Sequence, residues 1–459
     1  MSYVTETIHG AGEVATADDV KLDIKALRER IPAHCFQPSM LRSMGFVVRD
    51  LAIYLGLLYG TLHLENTIAN IYVSFITRYV VFPYLAGIAL TGLWVLAHEA
   101  GHGAFSTNKK VADAVGFVIH SALMSPYFAW RSSHARHHQY ANNVSVDLNY
   151  VPPSREEYRT LFGRDRNTHD EIVKSGEVEH DRDMQDDILE DAPFVVFLRI
   201  VLQQVIGWHW YLLSHITAGP NSGAYKGPPC MIYTSRLFSS PKKSRGWWDN
   251  SHFLPDSSLF RDDEFWGIFA SDVGLLVMMG WYGFKTLLWT YILPLMWVNH
   301  WIVMITYLHH THTSLPKYAP ESWTYLRGAL ATVDRDPGFV IRHMTHHIID
   351  LHVVHHLFPR IPHYHAQEAT DAIKPLLGEH YHSDKTSYWG ALWKAFTECQ
   401  WVEPDPEKTI KANVYIAKNG DADEAARRKA VDENGVLWYR SGRMPPPLVQ
   451  MRSSVKRAA

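Results

Sequence analysis

Apolar residues along this chain gather into runs. The cleanest run, Tyr79–Ala97 (YVVFPYLAGIALTGLWVLA), holds 19 residues without a charge and ends at the residue before His98. At helical rise that is enough to cross a hydrocarbon core of about 30 Å. A second uncharged run, Thr286–Leu308, is separated only by Lys285 from Trp266–Phe284, which carries Asp272. Leu51–Leu64 and Phe194–Leu213 are weaker runs, the latter holding Arg199 and two Gln. The pattern predicts an all-α polytopic membrane protein of about four transmembrane helices, with the remaining helices forming a cytosolic cap.

Polar stretches divide the rest. Residues 1–25 read as a disordered tail, followed by a short amphipathic helix in DVKLDIKALRERIP that Pro32 stops. Pro152–Asp191 reads as solvated helices and loop, and Gly219–Asp263 as a long Gly-, Pro- and Ser-rich connection. Residues 26–405 then form the membrane domain, and 406–459 a cytosolic C-terminal tail.

Charge supplies orientation. Lys21, Lys25, Arg28, Arg30, Arg42 and Arg49 precede the first span, and Lys109, Lys110, Arg131 and Arg136 follow the second, whereas Thr61–Asn70 between them has no Lys or Arg. Both flanks should therefore face the cytosol. The 16 Trp and 23 Tyr suit anchoring at bilayer interfaces. A net charge of −3 gives no reason to expect a nucleic-acid partner. Cys35, Cys230 and Cys399 form neither a C-x-x-C pair nor a disulfide framework, and residues 1–45, polar and charged, are not expected to act as a cleavable signal.

Histidines carry the candidate chemistry. His98 and His102 stand in HEAGH, His134, His137 and His138 in HARHH, and His352, His355 and His356 in HVVHH. With 28 His in 459 residues, roughly 0.1 chance matches to H-x-x-H-H are expected. The chain has three, because His343, His346 and His347 (HMTHH) repeat the pattern upstream of HVVHH. On a helix, positions i, i+3 and i+4 share a face, so each group could aim its rings at one point. Spacing alone does not choose between the two late groups. If all three groups meet on one membrane face, the number of spans between His138 and His309 is even. The apolar runs there number three, so Phe194–Leu213 or Trp266–Phe284 must be split, re-entrant or interfacial.

Eight or nine neutral imidazoles exceed what one zinc needs and suit two ions. A donor set with no companion carboxylates points to iron handling dioxygen. HEAGH also reads as H-E-x-x-H, with His98 and His102 on zinc and Glu99 activating water, the pattern of an intramembrane metalloprotease. That reading leaves six histidines unexplained. Lone histidines such as His34, His63, His169 and His252 read as surface or hydrogen-bonded residues, and in HHTH one of His309, His310 and His312 is a candidate ligand.

Beyond the histidines, IPAHCF (Ile31–Phe36), SPYFAWRSSHARHH from Ser125, ITYLHHTHTSLPKY from Ile305, LRGALATVDRD from Leu326, HHLFPRIPHYHAQEAT from His355 and AIKPLLG from Ala372 occur in one order. Together, over about residues 25–405, they resemble the membrane-bound fatty-acyl desaturases, in particular the oleate Δ12-desaturase branch of plants and fungi. The resemblance implies a histidine-rich di-iron site and dioxygen as co-substrate. It also implies a fatty-acyl lipid substrate in the bilayer, and electrons from cytochrome b5 and its reductase on the cytosolic face of the endoplasmic reticulum. It assigns metal ligation to His98, His102, His134, His137, His138, His352, His355 and His356, with His312 as a ninth ligand and His346 as a further candidate. Glu99 and Asp350 are expected to orient ring N–H groups. Ala100, Gly103, Ala135 and Leu351 depart from the family's usual residues beside the ligands, while Ala97 matches ordinary members. The product implied is linoleoyl from oleoyl, the alternative being an acetylenase or a bifunctional desaturase and acetylenase. A homo-oligomer is left open.

Overall fold

In the computed structural model, residues 23–68, 70–161, 192–214, 217–220, 222, 250–281, 287–412 and 431–441 are described. His169, most of Pro152–Asp191, residues 223–249 and residues 1–22 of the expected N-terminal tail lie outside them. The helices are α1 Ile24–Arg30, α2 Met40–Thr67, α3 Ile71–His102, α4 Lys109–Ala122, α5 Tyr127–Tyr140, α6 Arg155–Leu161, α7 Pro193–Ser214 and α8 Phe265–Trp281. They continue with α9 Leu288–Leu308, α10 Tyr325–Leu330, α11 Phe339–Met344, α12 His352–Leu357, α13 His363–Leu377, α14 Tyr388–Glu398 and α15 Pro406–Lys411. The chain is mostly helical, as the apolar pattern predicts.

Among the described residues, α2, α3, α7 and α9 are the helices long and apolar enough to cross a membrane. Two of them lie between His138 and His309, an even number among the described residues, as a shared face requires. Of the two suspect runs, Phe194–Leu213 lies in a helix long and apolar enough to span. The Trp266 run gives α8, of 17 described residues, which packs on the bent pair α4 and α5, whose axes meet at 108°. Gly267 lies against the Phe128 ring, and Ser271 Oγ accepts the Phe128 N–H at 3.0 Å.

The two central spans, α3 and α9, pack tightly because Gly87 leaves room: a Cβ there would sit 2.3 Å from Trp297 Cβ. Both also contain Pro, at 83 and 294, which cannot donate to the preceding turn. In each span a π turn, Thr77–Val81 or Leu288–Ile292, comes just before the proline and absorbs the mismatch. By contrast, α2 and α7 expose Leu51, Leu55, Leu62, Phe194, Phe197 and Val201 outward, the apolar exterior of a multi-pass membrane protein.

Two small sheets depart from an all-α description. Antiparallel β5 (Val436–Arg440) lies between β1 (Pro316–Tyr318) and β4 (Trp401–Pro404), while β2 (Asp334–Arg335) pairs with β3 (Ser383–Asp384). The reading of 406–459 as a tail therefore does not describe residues 431–441. There the apolar run Val436–Tyr439 is largely buried, and Arg327 makes a bidentate, buried pair with Asp432. Charged neighbours in the sequence hide that short run.

Candidate metal centre

Helix geometry decides which histidines meet. His98 and His102 sit one turn apart at the end of α3, as do His134 and His138 on α5. The Nε2 atoms of the first pair are 3.3 Å apart, and those of the second 3.1 Å. His355 from α12 joins them, and the five candidate ligand atoms all lie within 4.8 Å of one another. His137, His310 and His356 form a second group within the same limit.

Adjacent residues on a helix point about 100° apart. His137 and His138 therefore serve different groups, as do His355 and His356, which corrects the expectation of one point for the second and third boxes, while His98 and His102 of the first do share one group. The stacked His138 and His356 rings, 4.2 Å between centroids, set the two groups side by side. His352 flanks the second group, 4.7 Å from His356 and 5.4 Å from His310, and stacks on His309 at 4.4 Å.

Hydrogen bonds fix several tautomers. A carbonyl oxygen only accepts, so His352 Nδ1 must carry the proton it gives to Ile348 O at 2.9 Å. Its buried Nε2 is then a bare lone pair without a partner. His309 is held the same way by Val333 O at 2.6 Å. His137 Nδ1 lies 2.7 Å from Asp147, leaving its Nε2 for the second group. Burial, reinforced by neighbouring imidazoles, holds His355 and His356 well below the ordinary imidazole range, and burial pushes His352 down to about 3. These three rings are therefore neutral donors. His138 Nδ1, His310 Nδ1, His355 Nε2 and both His356 nitrogens are buried without hydrogen-bond partners. Such atoms are costly unless something satisfies them, and two metal ions would. The donor chemistry fits the expected group.

Other expected residues lie elsewhere. The structure does not bring His312 to either group: its Nδ1 is 2.6 Å from Ser314 Oγ and its Nε2 faces Asp384 at 3.7 Å. In HMTHH the backbone turns left-handed at His346 (φ 52°) and His347 (φ 60°), so no helical face forms. His346 Nε2 pairs instead with buried Asp50 at 2.7 Å, and His347 with Asp350 at 2.9 Å. Asp350 thus orients a histidine outside the boxes. Glu99 does likewise, taking the N–H of His363 at 2.6 Å and its Nδ1 at 2.8 Å. That engagement also leaves Glu99 unsuited to the protease role.

Sequence reasoning missed Asp147 and passed over His310 for His312. Asp147 Oδ1 accepts from His137 and from the Asn149 N–H at 2.9 Å, while Oδ2 accepts the Asn142 N–H at 2.7 Å. Burial would raise this carboxyl, but His137, then Lys317, together with these bonds, hold it below its ordinary range. Asn142 tolerates its φ of 63° and spends its amide on Gly328 O, Ala331 O and Lys317 Nζ. Behind the first group, Trp130 stacks on His134 at 4.4 Å, and Trp94 lies 5.0 Å from Trp130. Among the unusual neighbours, Gly103 closes α3 at φ 75°, Ala100 and Leu351 are buried in apolar core, and Ala135 is exposed.

Comparison with known proteins identifies the family. Residues 74–388 match the family described as fatty acid desaturase. An oleate hydroxylase of Claviceps purpurea is 39% identical over 404 residues, covering 84% of this chain and 78% of its own. A Delta(12) fatty acid desaturase of Mortierella isabellina is 36% identical over 390 residues, covering 83% and 88%. A Delta(12)-fatty-acid desaturase of Arabidopsis thaliana is 36% identical over 406 residues, covering 86% and 90%. With its spans, its two all-histidine groups and these relatives, the chain belongs to the fatty acid desaturase family of membrane oxidoreductases.

Proposed function

We propose that the protein introduces a cis double bond into the acyl chain of a membrane lipid, converting oleoyl to linoleoyl at the Δ12 position. The observation that carries this reading is the pair of adjacent all-histidine groups at the ends of two apolar spans. His98, His102, His134, His138 and His355 would hold one iron, and His137, His310 and His356, with His352 beside them, the other. Two irons bound there supply the oxidising chemistry that removes hydrogen from adjacent methylenes, with dioxygen as oxidant.

The chain's own residues position and protect. Asp147 fixes the His137 ring, and the Ile348 carbonyl fixes His352. Trp94, Trp130 and Trp208 wall off water behind the first group. Because α3 and α9 end at the site, an acyl chain held in the bilayer would meet it at the ends of these spans. Two methylenes differ only in where the protein places them, so positioning selects the bond. The basic flanks support a cytosolic site in the endoplasmic reticulum membrane, where cytochrome b5 and its reductase would supply electrons.

The 39% identity to an oleate hydroxylase favours a second reading, hydroxylation of the same oleoyl chain. Expression in a yeast that makes only monounsaturated fatty acids, followed by gas chromatography and mass spectrometry of the methyl esters, separates the outcomes. A new Δ12 diene supports desaturation. A hydroxylated oleate supports the second reading, and an alkyne after linoleate feeding supports an acetylenase.

A further inference from the structure

Two of the stretches that flank the histidine boxes meet in space. The turn Ala33–Phe36 carries His34 and Cys35, and α13 carries His365 and Glu368 at i and i+3. His34 Nε2 lies 2.9 Å from Glu368 Oε2, Cys35 Sγ lies 3.7 Å from His34 Nε2, and His365 Nδ1 lies 3.8 Å from Glu368 Oε2. The candidate ligand atoms of all four residues fall within 4.8 Å of one another.

We propose that His34, Cys35, His365 and Glu368 form a zinc site that ties the segment before α2 to the helix after the third histidine box. A thiolate, two imidazoles and one carboxylate make a complete tetrahedral set for zinc. With bonds of about 2.0–2.3 Å, the edges of such a tetrahedron measure about 3.3–3.8 Å. Two of the three contacts already lie at those lengths, and the third must open by a few tenths of an ångström. Cys35 is fully buried against the apolar cluster of Leu27, Ile31 and Ala366, while His34 and Glu368 are half exposed, so an ion can enter from water. Binding releases the thiol proton to solvent and involves no change of oxidation state. No ligand is shared with the two histidine groups, so this site stands or fails independently of the function proposed above.

Cobalt reads this site out specifically, because thiolate-to-cobalt charge transfer needs a cysteine and neither histidine group contains one. Full-length protein in detergent micelles is stripped with chelator and titrated with Co²⁺, and near-ultraviolet absorption is followed. The band is expected in the wild type, in Cys230→Ser, in Cys399→Ser and in His355→Ala, and is expected to vanish in Cys35→Ser. Glu368→Gln, at a half-exposed position that should not disturb folding, is expected to weaken cobalt binding at least tenfold. Zinc analysis of protein as purified should find about one zinc per chain more in the wild type than in Cys35→Ser. Absence of a thiolate band at saturating cobalt, or its survival in Cys35→Ser, overturns the proposal.

Discussion

Asp147→Asn tests whether the second histidine group depends on a carboxylate that no motif points to. The side chain is buried and accepts three hydrogen bonds, from His137 Nδ1, the Asn149 N–H and the Asn142 N–H. An amide of the same shape keeps only one oxygen. If that oxygen replaces Oδ1, the Asn142 N–H faces an NH₂ group. If it replaces Oδ2, His137 and Asn149 do, and His137 must move its proton to Nε2, the nitrogen aimed at the group. One buried donor left without its acceptor costs about 1–3 kcal/mol. Loss of an orienting partner behind a metal-bound histidine costs about 10–100-fold in metal affinity. The variant is therefore expected to insert normally, to retain well below the wild-type iron content after dialysis against limiting metal, and to lose diene product in proportion. Iron is measured by mass spectrometry per chain, and product by gas chromatography of methyl esters from the same cells. Full iron content with wild-type product would refute the orienting role.

Three further outcomes follow from the geometry. His310→Ala should abolish product while His312→Ala retains most of it, since only His310 lies in a group; equal losses in the same yeast assay would reverse that assignment. Burial, then Arg335, holds His312 down to about 4. The unfolded chain, with its imidazole near 6.5, then takes up the proton first, so stability should fall as pH drops from about 6.5 through about 4. His312→Asn should blunt that acid sensitivity in thermal melts, and identical profiles would count against it. Gly92→Ala would place a Cβ 2.3 Å from Met344 O and 2.8 Å from Asp50 Oδ2, a clash expected to cost about 1–3 kcal/mol in detergent stability. A neutral effect would mean that α3 packs less closely there.

The spans and boxes were legible because each rests on local pattern: uncharged runs give α3 and α9, and i, i+4 spacing pairs His98 with His102. What stayed hidden depends on contacts distant in sequence or on backbone turns. His346 and His347 match H-x-x-H-H, yet their left-handed φ destroys the helical face that makes the spacing meaningful. His310 and His312 are equivalent in a string, and the choice is made by Ser314 and Asp384, which draw His312 away. Asp147 carries no spacing signal because its role depends on the loop after α5 folding back under His137. Similarly, Val436–Tyr439 reveals itself as a strand only through its pairing with β1 and β4.

That last strand bears on the order of assembly. β5 is the central strand of its sheet although it is the last of the five described strands, and β1, with which it pairs, follows directly on the loop bearing His310 and His312. During synthesis the spans and all three boxes emerge first, and the sheet stays open until residues 436–440 arrive. A nascent chain therefore carries its full complement of histidines for some time before β5 closes over β1, and a product halted before Val436 keeps every box but lacks that strand.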